Sequence, residues 1–159
     1  MSDFVPKRCR ENPAAPRFAI VASEFNSEYV DALVDHASAE LSSLAAAAQI
    51  ALYRVPGAFE IPVVARELAL RKAADAILAL GVIIRGQTEH AENLARSVTD
   101  ALQQIAVTHG VPVINAVLSL ENDEQAVERC KGDRINRGTE AARAAVQIAA
   151  LMADLRSHG

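Results

Sequence analysis

Tryptophan is missing from this chain, and aromatic residues are scarce as a class: two tyrosines and four phenylalanines in 159 residues. Each aromatic outside the apolar pattern therefore needs its own explanation. Cysteine is equally sparse. Cys9 and Cys130 lie in a polar tail and a charged segment, with no second ligand at metal-type spacing, so neither a disulfide nor a metal site is expected. There is no excess of basic residues either. A net charge of -4 and a pI near 5.6 argue against a nucleic-acid partner, which requires a concentrated basic surface. No run approaches the ~20 apolar residues of a membrane span. The N-terminal stretch MSDFVPKRCRENPAAPRF holds no apolar segment of signal-peptide length, so the expected location is the cytoplasm.

What is present is ordinary soluble-domain composition, 51% hydrophobic and 23% charged. A chain of this size buries roughly 70% of the surface it exposes when unfolded, enough for a real core. Apolar runs of strand length alternate with segments of helical period. This alternation predicts a three-layer αβα sandwich with a central, mainly parallel four-stranded sheet of flavodoxin-like topology. A flexible segment over 1–15 and a single domain over 16–156 are expected.

The first run, Phe18 to Ala22, leads through Ser23-Glu24-Phe25-Asn26 into a helix with Val30, Leu33, Val34, Ala37, Leu41 and Leu44 on one face, capped by Asn26 or Ser27. The second, Ile50 to Val55, passes through Pro56-Gly57-Ala58-Phe59-Glu60 to a helix with Pro62 in its first turn and Val64, Leu68 and the stem of Arg71 as its stripe. The third, Ala76 to Ile84, is almost wholly apolar, as a central parallel strand should be. A helix from His90 to about Thr108 follows, with Leu94, Val98, Leu102 and Ile105 inward and Gly110 as its stop. The fourth run, Val111 to Leu118, precedes Asn122 or Asp123 as a cap, a short helix to about Cys130, a charged loop, and an alanine-rich helix from about Thr139 to Leu155.

All the unusual residues fall just after strands. In open α/β sheets ligands bind beyond the carboxyl ends of the strands, where these loops gather. The segment VIIRGQTEH, Val82 to His90, is the most suggestive: Arg85, Gly86, Gln87 and Thr88 at a helix start make a site for a phosphate or carboxylate. His90 follows, and its unperturbed pKa near ~6.5 suits proton transfer. His36, His109 and His158 are discounted by position. Phe59 reads either as a core residue or as the wall of a ligand pocket. Glu60 either complements the helix dipole or accepts hydrogen bonds from a ligand. Phe25 either packs locally or stacks on a planar heterocycle. Arg129 with Lys131, Arg134 and Arg137 is a solvated face or a phosphate clamp.

Taken in order, IVASEFN at 20–26, VPGAFEIP at 55–62, DAILALGVIIRGQTEH at 75–90, PVINAVLS at 112–119, EQAVER at 124–129 and NRGTEAA at 136–142 resemble the lumazine synthase family over nearly the whole chain. The resemblance implies condensation of 5-amino-6-(D-ribitylamino)uracil with 3,4-dihydroxy-2-butanone 4-phosphate, without a cofactor. It further implies that Phe25 stacks on the pyrimidine, and that Ala58, Phe59 and Glu60 contact it and the ribityl chain. Val82, Ile83 and Ile84 would line that pocket through backbone groups. Gln87 and Thr88 would hold the butanone phosphate, and His90 would be catalytic. Arg129 would bind the phosphate from a neighbouring subunit, because the family builds its sites between subunits of a pentamer.

Three positions depart from the family pattern. Asn115 replaces an aromatic that contacts the pyrimidine from the adjacent subunit, Ala91 replaces the aromatic after the histidine, and Arg137 replaces a lysine. Other readings make different demands. A flavodoxin- or receiver-type domain calls for a phosphate loop or acidic cluster after the first strand, and SEFNSE supplies neither. A non-catalytic lumazine or flavin binder has no need of both His90 and Arg129, whereas a shell-forming role is compatible with catalysis. The last helix and the loop from Lys131 to Asn136 are expected to influence assembly.

Overall fold

The computed structural model describes residues 4–6, 15–86 and 89–158. Four strands, β1 (Arg17–Ser23), β2 (Gln49–Val55), β3 (Ala76–Ile84) and β4 (Val113–Leu120), form one sheet in the order β2-β1-β3-β4. Every pairing is parallel. Five helices connect or follow them: α1 (Ser27–Leu44), α2 (Ile61–Leu70), α3 (His90–His109), α4 (Asp123–Lys131) and α5 (Arg137–Ser157). A single 3-10 turn, Ala58–Glu60, stands before α2.

Strand alternation divides the core in two. Phe18, Ile20 and Ala22 of β1, with Leu78, Leu80 and Val82 of β3, pack against α1, α4 and α5. Ala19, Val21, Ile77, Ala79 and Ile83 point the other way, against α2 and α3. The three layers and the parallel sheet are those expected from the apolar pattern, and β3 has the expected bounds. Burying each of the larger aliphatic side chains contributes roughly 1.5–3 kcal/mol.

Three local expectations are corrected. Strand β4 begins and ends two residues later than its apolar run, because Val111 is buried ahead of the strand without pairing in it. Arg71 is exposed at the end of α2, and the inward stripe is Ile61, Ala65, Leu68 and Ala69, with Val64 half-buried beside it. Helix α5 starts at Arg137 rather than Thr139, because Asn136 caps it: the Asn136 Oδ1 accepts from the Thr139 N–H at 3.1 Å. The Asn136 amide also donates to the carbonyls of Cys130 at 2.9 Å and Gly132 at 3.0 Å, so one buried side chain ends α4 and begins α5.

Small residues set how closely α5 approaches α1. Gly138, Ala141, Ala142, Ala145 and Ala149 are buried on α5. A Cβ on Gly138 would lie 2.4 Å from the carbonyl oxygen of Leu33. The glycine of the NRGTEAA motif is therefore fixed by a helix crossing.

Candidate functional site

Because the sheet is wholly parallel, the loops after all four strands meet at its carboxyl edge. The β1–α1 loop is laced to its neighbours there. The Glu24 N–H donates to the Val55 carbonyl at 2.7 Å and the Phe25 N–H to the Pro56 carbonyl at 3.0 Å. Asn26 occupies the N-cap position of α1, but its side chain caps nothing. Instead its amide donates to the Val82 carbonyl at 2.7 Å, tying the loop to the end of β3.

These loops enclose a cleft of about 340 Å³ lined by Ser23, Phe25, Gly57, Ala58, Phe59, Val82, Ile83, Ile84, His90, Ala91 and Leu94. Phe25 is 72% exposed and Phe59 66% exposed, although both are large apolar rings in a chain poor in them. Phe59 is thus a cleft wall and not a core residue. The rings and aliphatic side chains give the cleft an apolar body, and His90, the first residue of α3, lines it as well. Ala91, small where the family pattern has an aromatic, is buried behind it. Such a cavity suits a planar, partly apolar ligand fixed by a few polar groups.

Glu60 makes hydrogen bonds within its own turn. Its Oε2 accepts from the Gly57 N–H at 2.9 Å, and its own N–H donates to the Gly57 carbonyl at 3.2 Å. This closes the Pro56–Gly57 turn in the manner of a capping box. Glu60 therefore shapes the loop that carries Ala58 and Phe59. Gln87 and Thr88 fall outside the described residues.

A second cavity, about 430 Å³, lies across the end of β3 and shares no lining residue with the first. Arg85, Asn115, Val117, Leu118, Ser119, Glu121, Gln125 and Arg129 surround it. Arg129 projects from α4, and its Nε is buried with no hydrogen-bond partner among the described residues. Arg85 Nε stands 3.4 Å from the Ser119 hydroxyl. Two guanidiniums and a hydroxyl are a natural anion holder. Asn115 spends its side chain locally, with its amide donating to the Thr99 hydroxyl at 3.1 Å and its Oδ1 accepting from the Val117 N–H at 3.0 Å.

The remaining cations of the basic run separate. Lys131 pairs with Glu28 and stands 5.4 Å above the Tyr29 ring. Arg137 pairs with Glu140, both largely buried. Arg134 borders a small cavity with Val5 and Ile135. The run is therefore neither one solvated face nor one clamp. Sequence reasoning passed over Arg85 as a partner of Arg129, and the fold of Asn26 onto Val82. The first was visible as an arginine at a strand end, but the second had no local signal.

No group of three or more potential metal ligands occurs among the described residues. No helix of those residues is long and apolar enough to cross a membrane. A family model described as 6,7-dimethyl-8-ribityllumazine synthase matches residues 15–153. Similar proteins include two named 6,7-dimethyl-8-ribityllumazine synthase, from Stenotrophomonas maltophilia strains R551-3 and K279a. Each is 42% identical over 144 residues, covering 90% of this chain and 93% of the relative.

Proposed function

Because the chain belongs to the 6,7-dimethyl-8-ribityllumazine synthase family, we propose that the aromatic cleft at the carboxyl edge of its sheet binds the pyrimidine of that reaction. The chain is a transferase of riboflavin biosynthesis. Its substrates are 5-amino-6-(D-ribitylamino)uracil and 3,4-dihydroxy-2-butanone 4-phosphate. The carrying observation is the pair of exposed rings, Phe25 and Phe59, lining one cleft together with Val82, Ile83, Ile84 and His90. Phe25 stacks on the pyrimidine, while Ala58 and Phe59 form the wall along the ribityl chain, on a loop that Glu60 braces.

The chemistry asks for alignment and proton movement. The pyrimidine's free amine attacks the ketone, and loss of water leaves an imine. The bond to phosphate then breaks, and the second amine closes the ring with further loss of water. The sequence exchanges no electrons with an outside group, so it requires no cofactor. Holding two reactants in register supplies most of the acceleration. His90 takes and returns protons during imine formation and phosphate loss.

Gln87 and Thr88 hold the butanone phosphate by their place in the motif. Arg129 serves the same phosphate in a neighbouring subunit's cleft, and Asn115 contributes to that neighbour's pyrimidine site. The separation of the Arg129 cavity from the cleft within one chain supports this division. So do the exposed apolar side chains Val63 on α2 and Val107 on α3, which an assembly would cover. The assembly is a pentamer or a multiple of pentamers, working in the cytoplasm.

Mixing the two substrates with protein and following lumazine fluorescence and phosphate release tests this reading. His90→Ala should slow turnover by about 10²–10⁴-fold at most, the range of general acid–base catalysis, without abolishing it. Unchanged turnover would remove His90 from the mechanism. No acceleration by the native chain over the spontaneous reaction would refute the catalytic reading.

A further inference from the structure

We propose that Asn26 is a positioning residue of the cleft: its side-chain amide, donated to the Val82 carbonyl, holds Phe25 over the pyrimidine subsite. The inference rests on the pyrimidine reading of the cleft.

Asn26 has φ 57° and ψ 41°, in the left-handed region that side-chain-bearing residues seldom adopt. Among the described residues only Asn26 and Lys72 do so without being glycine. Asparagine tolerates this conformation better than most residues, and at a helix start its oxygen ordinarily accepts from an N–H of the first turn. That bond is missing here. The amide reaches a strand 56 residues away instead, at 2.7 Å and partly buried.

The acceptor's position explains the arrangement. Pairing between β1 and β3 ends at Ala22 and Leu80, so Val82 lies two residues past the last pair. Asn26 supplies a tether to β3 where β1 has already turned away. Phe25 is held from the opposite side by its own N–H on the Pro56 carbonyl. Its ring is 72% exposed, so packing within the chain does little to fix it. The two flanking tethers, one to the β2 loop and one to β3, set where the ring stands. Ligand stacking on a pre-positioned ring loses less conformational freedom than stacking on a loose one.

Asn26→Gly keeps access to the left-handed conformation and removes the amide. Asn26→Asp keeps the shape and exchanges the donor for a carboxylate, giving a second variant if the glycine form folds poorly. Each is assayed as the full chain with one substrate varied at a time. The expected result is a rise of about five- to tenfold in KM for the pyrimidine, the size of one lost neutral hydrogen bond. Values of kcat and of KM for the butanone phosphate should stay within about twofold of native.

A double-mutant cycle separates positioning from a general structural effect. In a Phe25→Ala background, Asn26→Gly should cost nothing further, because the ring it positions is gone. An unchanged pyrimidine KM in Asn26→Gly and Asn26→Asp, while Phe25→Ala raises it, overturns the positioning role alone. A penalty that persists undiminished in the Phe25→Ala background also overturns it. An unchanged KM in Phe25→Ala overturns the pyrimidine assignment of the cleft, and the positioning role with it.

Discussion

Glu60 illustrates how one residue can be legible in kind while its hydrogen-bond partner within the chain is set by the fold. A carboxylate after Pro-Gly at a helix start signals either a complement to the helix dipole or a ligand contact, and its Oε2 is on the Gly57 N–H at 2.9 Å. Glu60→Ala should therefore cost about 1 kcal/mol, as losing a capping side chain does, and lower the thermal midpoint by about 2–4 °C. Glu60→Gln, which keeps an acceptor oxygen, should recover most of that loss. A thermal midpoint unchanged in Glu60→Ala would show that the turn is held without it. Phe25 and Phe59 were recognisable because the chain has so few aromatics and both follow strands. Only exposure separated cleft wall from core. Asn26 was recognisable as a helix-start residue, but the direction of its amide depends on Val82, 56 positions away.

Among the elements, β3 was the easiest to delimit, because a strand covered on both faces is apolar throughout, whereas β4 slid by two residues. Val111 is buried, and burial without pairing looks the same in a list of residue types. Helix α4 was readable from its cap, since Asn122 accepts from the Gln125 N–H at 2.9 Å. Its docking was not. The Tyr29 hydroxyl donates to Asp123 at 2.8 Å, Lys131 pairs with Glu28, and Ala126 and Cys130 face α1. These contacts fix the helix from which Arg129 projects. The α1–α5 crossing was likewise hidden, because Gly138 reads in sequence as a motif residue with no stated job. A methyl there would meet the Leu33 carbonyl at 2.4 Å. Gly138→Ala should destabilise the chain by about 1–3 kcal/mol, the usual cost of overpacking, read as a lower denaturant midpoint. Equal midpoints would mean that the two helices can separate without penalty.

At the scale of the molecule, two buried or hydrogen-bonded acids make stability depend on alkaline pH. The Tyr29 hydroxyl is pushed up to about 12 from 10.0, first by its bond to Asp123 and then by burial. Burial pushes the Cys130 thiol up to about 11 from 9.0, against the opposing pull of Lys131 and Arg129. Both groups are neutral when protonated and hold their protons more firmly in the folded chain. Their contribution is complete below the ordinary values and is lost as pH rises through the folded ones. Denaturant midpoints should therefore fall between about pH 9 and 12, with Cys130→Ala flattening the lower part of the fall and Tyr29→Phe the upper. A midpoint independent of pH over that range would contradict both shifts. The sequence by itself determined the layer architecture, the gathering of loops at one edge, and the neighbourhood of His90 and the Gln87–Thr88 motif. Hydrophobic period and strand-to-helix alternation fix which face is buried and which way parallel strands run, and both are local properties of the chain. Tertiary structure alone decided that Asn26 ties to Val82, that Glu60 braces its own turn, and that Arg129 lies in a cavity apart from the cleft. The first and last depend on which distant groups packing brings within about 3–4 Å, the reach of a hydrogen bond or contact, which residue order does not encode, while the Glu60 brace spans three residues and depends on which way its side chain turns.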